Sequence, residues 1–588
     1  MKILFFTPHA ALWVHTVPEA YLARALASEG FEVEYLSCER AQNYCACMTS
    51  RRLEPGCTPE QSAAICDFCE LSSKSLQRSY RLPSASLAQY LRPEDTAECK
   101  TIAESAVADR SLDTEYLGVK VGRIALYEFT LFHKKMSTNL TDDQWYEYGT
   151  YVENALITLI AFSRHISVSR PDVVTTFSPQ YSNLNSCMQY ALTQGIRTLF
   201  MESGTNLSHR LGTMRVWDWG VHRLVNPALR YWGESAHNPV TSASAGAVVD
   251  HFRQLLSGQH FAVFSSAYSG THSIRELWGI QPQQKIALMT LSSYDEAYAA
   301  LLIDGFPEEK VFSSVFRTQA QWIAATIEWA KSQPDIFFVV RVHPRDFPNK
   351  RESLRSEQSF ALEALLQNVP KNVHVNWPSE GLSLYALLED TDAVLTGWSV
   401  TAMEALILGI PVVTYDRKLP SYPSDVMWTG SSETEYRDNV LGALSAGWNI
   451  SNVRNGFRWL AYNFVESTVT VSRSFGNHEL ADRPRAQRLW RRFKDGLPVI
   501  GQPLDLLGWT GARAGAKVVA AMLTAGYDAI APAKAALRIK EPLADDSEVI
   551  DAALSELYGL LYADSTLPEV KPGLAKNIRE HLARARST

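Results

Sequence analysis

The sequence predicts an α/β protein with two doubly wound, Rossmann-like domains in series. Short apolar runs alternate with segments of helical periodicity, and this alternation starts twice along the 588 residues. In the second half, polar residues hardly interrupt the apolar runs. Continuous apolar runs are typical of parallel strands buried on both faces. Parallel strands need long crossover connections, which the helical segments between the runs supply.

The first domain is predicted to cover residues 1–262. Its first strands are expected at KILFFTP and FEVEYLSC, and the helix PEAYLARALASEG between them ends at Gly30, a residue suited to a helix C-terminus. Strand, helix and strand in this order form a βαβ unit. A long helix is expected from Thr141, where acidic residues occupy the first turn. Further strands are expected at PDVVTTFS and RTLFMESG.

A cysteine-rich insertion, residues 38–115, interrupts this domain and contains six of the eight cysteines between positions 38 and 69. The Cys-x-x-Cys spacing of its last two cysteines is typical of metal ligands. We therefore predict a metal site formed by Cys38, Cys47, Cys66 and Cys69, with Cys45 as the alternative to Cys47. Zinc is the expected metal and an iron–sulfur cluster the alternative. Free buried thiols are the other interpretation of the pattern.

The second domain is predicted to cover residues 263–470. Its strands are expected at KIALMTLSS, IFFVVRVHP, VHVNWP, AVLTG and PVVTYD, with helices between them. In such sheets ligands bind at the carboxyl ends of the strands, and two facing domains enclose a cleft. Residues 471–588 are predicted to form a helical extension, whose basic segment RPRAQRLWRRFK is suited to an anionic membrane surface. The alternative for this extension is packing back across the first domain.

Polar and cationic side chains follow two of the predicted strands of the second domain. Arg341, His343 and Arg345 end the strand IFFVVR, where arginines could neutralise a phosphate and the histidine could donate a hydrogen bond to it. Ser399 lies at a junction between strand and helix, a position that favours anion binding. Glu404, five residues later, could accept hydrogen bonds from the hydroxyls of a ribose. These residues predict a nucleotide site.

RVHP, followed about 55 residues later by SVTAMEALILGIPVV, resembles the donor-binding half of GT-B glycosyltransferases, in particular those of bacterial capsule and surface-polysaccharide synthesis. The His-Pro and Ser motifs are similar to those of CMP-sugar transferases and of CDP-glycerol enzymes. TLSSYDE, which contains Ser292 and Ser293, is similar to the same group. The resemblance implies that Ser292, Ser293, Arg341, His343, Arg345, Ser399 and Glu404 bind a CMP- or UDP-linked sugar.

The same resemblance implies a catalytic His343, no catalytic metal, and an acceptor, either a glycan or a lipid-linked sugar, bound on the first domain. The base that deprotonates the acceptor is then expected from His15 or Glu202, with His9 as a weaker candidate. The implied function is glycosyl transfer to a bacterial surface glycan. The alternatives are a CDP-glycerol-type transferase, a UDP-sugar 2-epimerase and a non-catalytic scaffold stabilised by metal.

Composition and charge limit the partners and the location. The net charge of −7 argues against a nucleic-acid binder, although a local basic pocket is compatible with it. The sequence has no apolar window of about 18 residues, and its N-terminus lacks the features of a signal peptide. We therefore expect a cytoplasmic protein, with contact to the inner face of the cell membrane through the C-terminal helices as an option.

Overall fold

The computed structural model describes residues 1–210, 212–220, 222–258, 264, 266–268, 273–349, 353–471, 506–531, 545–562 and 573–587. The side chains at positions 13, 14 and 506–511 are outside this description. Within the described residues, the strands form two sheets. The two-sheet α/β architecture agrees with the fold class that the sequence predicts.

The first sheet has seven strands in the order β13-β6-β5-β4-β1-β2-β3. They are β1 (Lys2–Phe6), β2 (Glu32–Ser37), β3 (Ser84–Ser86), β4 (Val173–Phe177), β5 (Arg197–Ser203), β6 (Thr213–Asp218) and β13 (Val469–Thr470). The pairs from β3 to β5 are parallel, whereas β6 runs antiparallel to both of its neighbours. Because β13 joins this sheet, the chain returns to the first domain at Val469. This is just before position 470, where the second domain is predicted to end.

The second sheet has six strands in the order β12-β11-β10-β7-β8-β9, and all of its pairs are parallel. They are β7 (Lys285–Thr290), β8 (Ile336–Arg341), β9 (Val373–Asn376), β10 (Ala393–Thr396), β11 (Val412–Thr414) and β12 (Trp428–Thr429). Every residue of β8 is buried, as expected for a central strand covered on both faces. The parallel order aligns the carboxyl ends of β7, β8 and β10 at one edge.

Helices cover both sheets. The α-helices of the first half are α1 (Trp13–Ser28), α2 (Ala46–Ser50), α3 (Pro59–Tyr80), α4 (Pro93–Ala108), α5 (Val121–His133), α6 (Asp142–Ser169), α7 (Ser182–Thr193), α8 (Trp232–Ser235) and α9 (Ser242–Ser257). Helix α6 begins as predicted: the Thr141 hydroxyl accepts from the N–H of Gln144, whose side chain accepts in turn from the Thr141 N–H. Three of these α-helices, α2, α3 and α4, lie in the cysteine-rich insertion.

The second half contains α10 (Ile274–Trp278), α11 (Tyr294–Leu302), α12 (Gln319–Ala330), α13 (Glu357–Leu365), α14 (Leu384–Leu388), α15 (Thr401–Ile407), α16 (Glu433–Ala446), α17 (Ile450–Ala461), α18 (Leu506–Ala525), α19 (Ser547–Tyr562) and α20 (Leu574–Ala585). Buried apolar residues of α18 share a core with α1 and the first sheet. This part of the extension packs across the first domain, the second of the two predicted alternatives. The basic segment 483–494 lies outside the described residues.

The helices α19 and α20 are attached to the second domain through Glu389. Its carboxylate accepts hydrogen bonds from the Tyr562 hydroxyl and, at 3.2 Å, from the Ala575 N–H. Burial raises the pKa of Glu389 to about 7. Among the described helices, none combines the length and apolar composition needed to cross a bilayer.

The end of α5 connects the two domains directly. The ammonium group of Lys134, only 1% exposed, donates to the carbonyl oxygens of Arg345 and Leu354, both at 2.7 Å. The next residue, Lys135, forms an ion pair with Glu357 at 2.6 Å. These contacts fix the loop after β8, which carries His343, against the first domain.

Candidate functional site

A cavity of about 140 Å³ lies at the carboxyl ends of β7, β8 and β10. Its wall contains Arg341, His343, Ser399 and Glu404, four of the seven residues predicted to bind the nucleotide. The remaining lining residues are Leu255, Phe264, Thr290, Leu291, Val342, Pro344, Leu384, Tyr385, Val400 and Thr401. Parallel strand order explains this convergence, because each of the four residues belongs to or follows a strand that ends at the same edge.

His343 is a neutral side chain in this wall. Desolvation by the surrounding protein, reinforced by the positive charges of Arg345, Arg341 and Lys134, lowers the pKa of His343 to about 3. Its Nδ1 accepts a hydrogen bond from the Arg345 backbone N–H at 3.3 Å. In a neutral imidazole one ring nitrogen accepts and the other carries the proton, so Nε2 is the donor. His343 can therefore give a hydrogen bond to an anion without being charged.

Arg341 supplies a fixed positive charge beside His343. Its guanidinium donates to Asn376 Oδ1 at 2.6 Å and to the carbonyl of Leu382 at 3.2 Å. Burial lowers the pKa of Arg341 to about 10, against the opposing effect of nearby carboxylates such as Glu404, so the group stays charged at neutral pH. A buried, oriented guanidinium of this kind favours an anionic ligand in the cavity.

Glu404 lies on α15 and is held by Tyr385, a residue that no sequence pattern singles out. The Tyr385 hydroxyl donates to Glu404 Oε2 at 2.6 Å. Burial raises the pKa of Glu404, and the hydrogen bond from Tyr385 and the charge of Arg341 act in the opposite direction. Tyr385 belongs to the apolar helix LYALL, where a tyrosine resembles an ordinary core residue. Its role depends on packing between α14 and α15.

Ser399 precedes α15 by two residues. Its hydroxyl donates to Thr401 Oγ1 at 3.1 Å, and its backbone N–H donates to Thr396 Oγ1 at 3.1 Å. Its carbonyl accepts from the Tyr422 hydroxyl at 2.7 Å. These bonds hold the turn between β10 and α15 in one conformation, with Ser399 half-buried in the cavity wall.

Three of the predicted nucleotide ligands do not line the cavity: Ser292, Ser293 and Arg345. Arg345 is buried in an ion pair with Asp295, and the same guanidinium donates to the hydroxyl of Ser293 at 3.0 Å. Its charge is therefore compensated inside the protein. Ser292 is buried as well, and its carbonyl accepts from the amides of Gln319 and Gln358. This cluster joins the β7 loop to the His343 loop.

The base candidates of the first domain lie near one another: His15 and Glu202 both interact with Arg210, and His9 interacts with His15. Burial and the charge of Arg210 lower the pKa of His15 to about 4, and burial raises the pKa of Glu202 against the charges of Arg215 and Arg210. None of these candidates is among the described residues that line the cavity with His343. The predicted residues therefore belong to two groups, one on each sheet, and only the group of the second sheet lines this cavity.

The histidine rings in this group are both neutral and held in place. His15 stacks on Phe177 with ring centroids 4.6 Å apart. His9 Nε2 lies 3.0 Å from the amide nitrogen of Asn183, and burial together with His15 lowers the pKa of His9 to about 3. Both rings have a lone pair that can accept a proton, but pKa values of about 3 and 4 make them weak general bases at neutral pH.

Five cysteines of the insertion line a second, much smaller cavity of about 20 Å³: Cys38, Cys45, Cys47, Cys66 and Cys69. They include all four predicted metal ligands and the predicted alternative, Cys45. All eight cysteines are free thiols. In the part of the chain that the structure describes, no three or more His, Cys, Asp or Glu side chains are already arranged to hold a metal ion.

Comparison with known proteins gives only distant similarity. No protein-family model matches the sequence, and no curated protein matches it. Among solved structures, UDP-GlcNAc 2-epimerase from Neisseria meningitidis bound to UDP-GlcNAc is 13% identical, with 77% of this chain and 97% of that chain covered at a TM-score of 0.25. KpsC from Thermosulfurimonas dismutans, a beta Kdo 2,4 transferase, is 14% identical, with 52% and 83% covered at a TM-score of 0.30.

The calicheamicin glycosyltransferase CalG4 is 13% identical, with 85% of this chain and 98% of that chain covered at a TM-score of 0.24. Nucleotide-sugar epimerases and glycosyltransferases thus occur together among the similar structures. Structural similarity this weak supports no conclusion about the function of this chain.

Proposed function

We propose that this chain is a GT-B glycosyltransferase that moves a sugar from a nucleotide-activated donor to an acceptor hydroxyl. The observation that carries the proposal is the cavity at the carboxyl edge of the second sheet. There Arg341 and His343 offer a charge and a neutral N–H donor, and Ser399 and Glu404 stand on the opposite strand–helix junction. This set suits a phosphate joined to a ribose.

In this proposal the anionic phosphate of the donor contacts Arg341 and the Nε2–H of His343, and Glu404 accepts from the ribose hydroxyls. The acceptor oxygen attacks the anomeric carbon of the donor sugar. The bond between this carbon and the phosphate oxygen breaks, and the phosphate leaves with the electron pair. Stabilising the charge that develops on the departing phosphate is the role of His343 and Arg341. The acceptor proton passes to a base of the first domain, for which His15, Glu202 and His9 remain the proposed candidates.

The donor is proposed to be a CMP- or UDP-linked sugar, and the acceptor a bacterial surface glycan such as capsule, O-antigen or a lipid-linked precursor. The cleft between the domains would hold both substrates, and the chain would act in the cytoplasm or at the inner face of the membrane. A metal bound by the cysteines would be structural here, since none of the cysteines lines the cavity with His343. Ser292, Ser293 and Arg345 would support the donor site from behind its wall.

Thermal stability with CMP, CDP and UDP tests the proposal first. A ligand at 100 times its Kd should stabilise the folded chain by about 2.7 kcal/mol. Turnover of the matching nucleotide-sugar, followed by release of free nucleotide on addition of an acceptor, then identifies a transferase. Interconversion of UDP-GlcNAc without an acceptor would instead identify an epimerase, and turnover of CDP-glycerol a polyol-phosphate transferase. No shift with any nucleotide would contradict the proposal and leave the scaffold alternative.

A further inference from the structure

The five cysteines around the small cavity come from three separate elements of the first domain. Cys38 follows β2, Cys45 and Cys47 flank the start of α2, and Cys66 and Cys69 lie one turn apart on α3. Residues three apart on a helix share a face, so both thiols of α3 can reach the same point. Such convergence of side chains from distant sequence positions is a property of the fold.

The thiol of Cys47 lies close enough to those of Cys45 and Cys69 to interact with both. Arg40, in the wall of the same cavity, forms ion pairs with Asp67 and Glu70 and so ties the loop after β2 to α3. These ion pairs hold the loop and α3 together without any disulfide.

We propose that this cavity binds a single thiophilic metal ion of the Zn²⁺ class. Cys45, Cys47 and Cys69 would be the central ligands, with Cys38 or Cys66 completing a tetrahedral thiolate set. A volume of about 20 Å³ accommodates one water-sized body, which matches a single ion. Because the thiols do not yet surround a common point, binding requires them to rotate about their Cα–Cβ bonds.

Because of where this cavity lies, a bound ion would also order the loop after β1. The Cys69 thiol lies 3.9 Å from the carbonyl oxygen of Pro8, and Thr7, Pro8 and Ala10 form part of the cavity wall. His9 is the next residue of this loop. An ion bound here would fasten the insertion to the loop after β1 and so fix His9 beside Asn183. This inference concerns metal binding and loop order, and it holds whether or not the chain transfers a sugar.

Metal analysis of the full chain, purified without chelators or metal-affinity resin, tests the proposal. We expect about one zinc per wild-type chain and no inorganic sulfide. Cys47→Ser with Cys69→Ser should lose nearly all of it, whereas Cys99→Ser with Cys187→Ser, two buried cysteines outside the cavity, should retain it. Should the double variant fail to fold, titration of folded wild type with a mercurial thiol reagent should release the zinc in step with modification.

Hydrogen exchange of the wild type before and after this release gives an independent readout. Exchange should rise at residues 7–12 and 38–47 and stay unchanged at 341–345. Wild-type chain without bound metal, iron with sulfide in place of zinc, or zinc retained by the double variant would each overturn the proposal. Loop exchange unaffected by metal release would overturn the link to His9.

Discussion

The backbone N–H of Arg345 donates to Nδ1 of His343 at 3.3 Å, while the Arg345 side chain is bound to Asp295. The residue predicted to bind phosphate instead sets the tautomer of its neighbour. With Nδ1 occupied as an acceptor, the neutral ring must present Nε2–H as a donor. In the His-Pro turn, the backbone N–H of Arg345 thus fixes the orientation of the His343 imidazole.

Replacing His343 with Ala should lower kcat by about 10²–10³-fold, because one preorganised donor to the developing phosphate charge is lost. Steady-state kinetics with saturating donor measures this loss. His374→Ala, on the neighbouring strand β9 and outside the cavity, is the matched control and should leave kcat unchanged. A folded His343→Ala chain with normal turnover would remove His343 from the reaction.

Glu404→Gln should weaken nucleotide binding by about 10–100-fold, since hydrogen bonds to a charged group contribute about 1.5–3 kcal/mol. The KM for the donor should rise and kcat should change little. Calorimetric titration with the nucleotide measures the Kd directly. The control is Glu433→Gln on the exposed face of α16, which should bind like wild type. Equal affinities for wild type and Glu404→Gln would show that the carboxylate does not contact the nucleotide.

Lys134→Met should destabilise the chain by about 2–4 kcal/mol, because the buried carbonyls of Arg345 and Leu354 lose their shared donor. Thermal unfolding of Lys134→Met and of the control Lys100→Met measures the effect. The side chain of Lys100 is 63% exposed, so its replacement should change stability little. Nearly identical melting temperatures for the two variants would mean that this contact between the domains contributes no stability.

The pH dependence of stability should contain a contribution from Glu389. Its pKa is raised to about 7, so between pH 4.5 and 7 the folded chain holds a proton that the unfolded chain releases. The folded state is therefore favoured at low pH, and this contribution is lost as the pH rises through that range. Glu389→Gln stays neutral and should gain up to about 3 kcal/mol relative to wild type between pH 4.5 and 8.

Melting temperatures of wild type and Glu389→Gln at pH 5 and pH 8 test this expectation. The difference between the two proteins should grow towards pH 8 in favour of the variant. Glu328→Gln, whose side chain is 72% exposed, should show a constant difference from wild type. A difference for Glu389→Gln that does not change with pH would contradict the raised pKa.

The strands of the second sheet could be predicted because each is a short apolar run bounded by polar residues, as in IFFVVR before His343. The strand β6 was missed, since TMRVWD carries Arg215 in its middle and pairs antiparallel at the side of the sheet. The sequence pattern does not indicate helix α3, because serines and cysteines replace a regular apolar face. Regular patterns of apolar residues predict helices and strands, and an element without such a pattern cannot be predicted in this way.

Within the candidate site, Arg341, His343 and Ser399 could be selected because each ends or closely follows a strand, and Glu404 because it lies in the helix that comes after β10. The fate of Arg345 could not be foreseen, since its partner Asp295 is 50 residues away in the sequence. Charge pairing of this kind depends on which side chains the folded backbone brings together. The same reason explains why Tyr385, the partner of Glu404, gave no signal.

The central claim is that the cavity of the second sheet holds the phosphate and ribose of a nucleotide donor. The most direct test is a crystal structure of the chain with whichever of CMP, CDP or UDP gives the largest thermal shift. We predict a phosphate oxygen within about 3 Å of His343 Nε2, close to the guanidinium of Arg341, with ribose hydroxyls on Glu404. A nucleotide bound elsewhere on the chain, with this cavity left to solvent, would contradict the account.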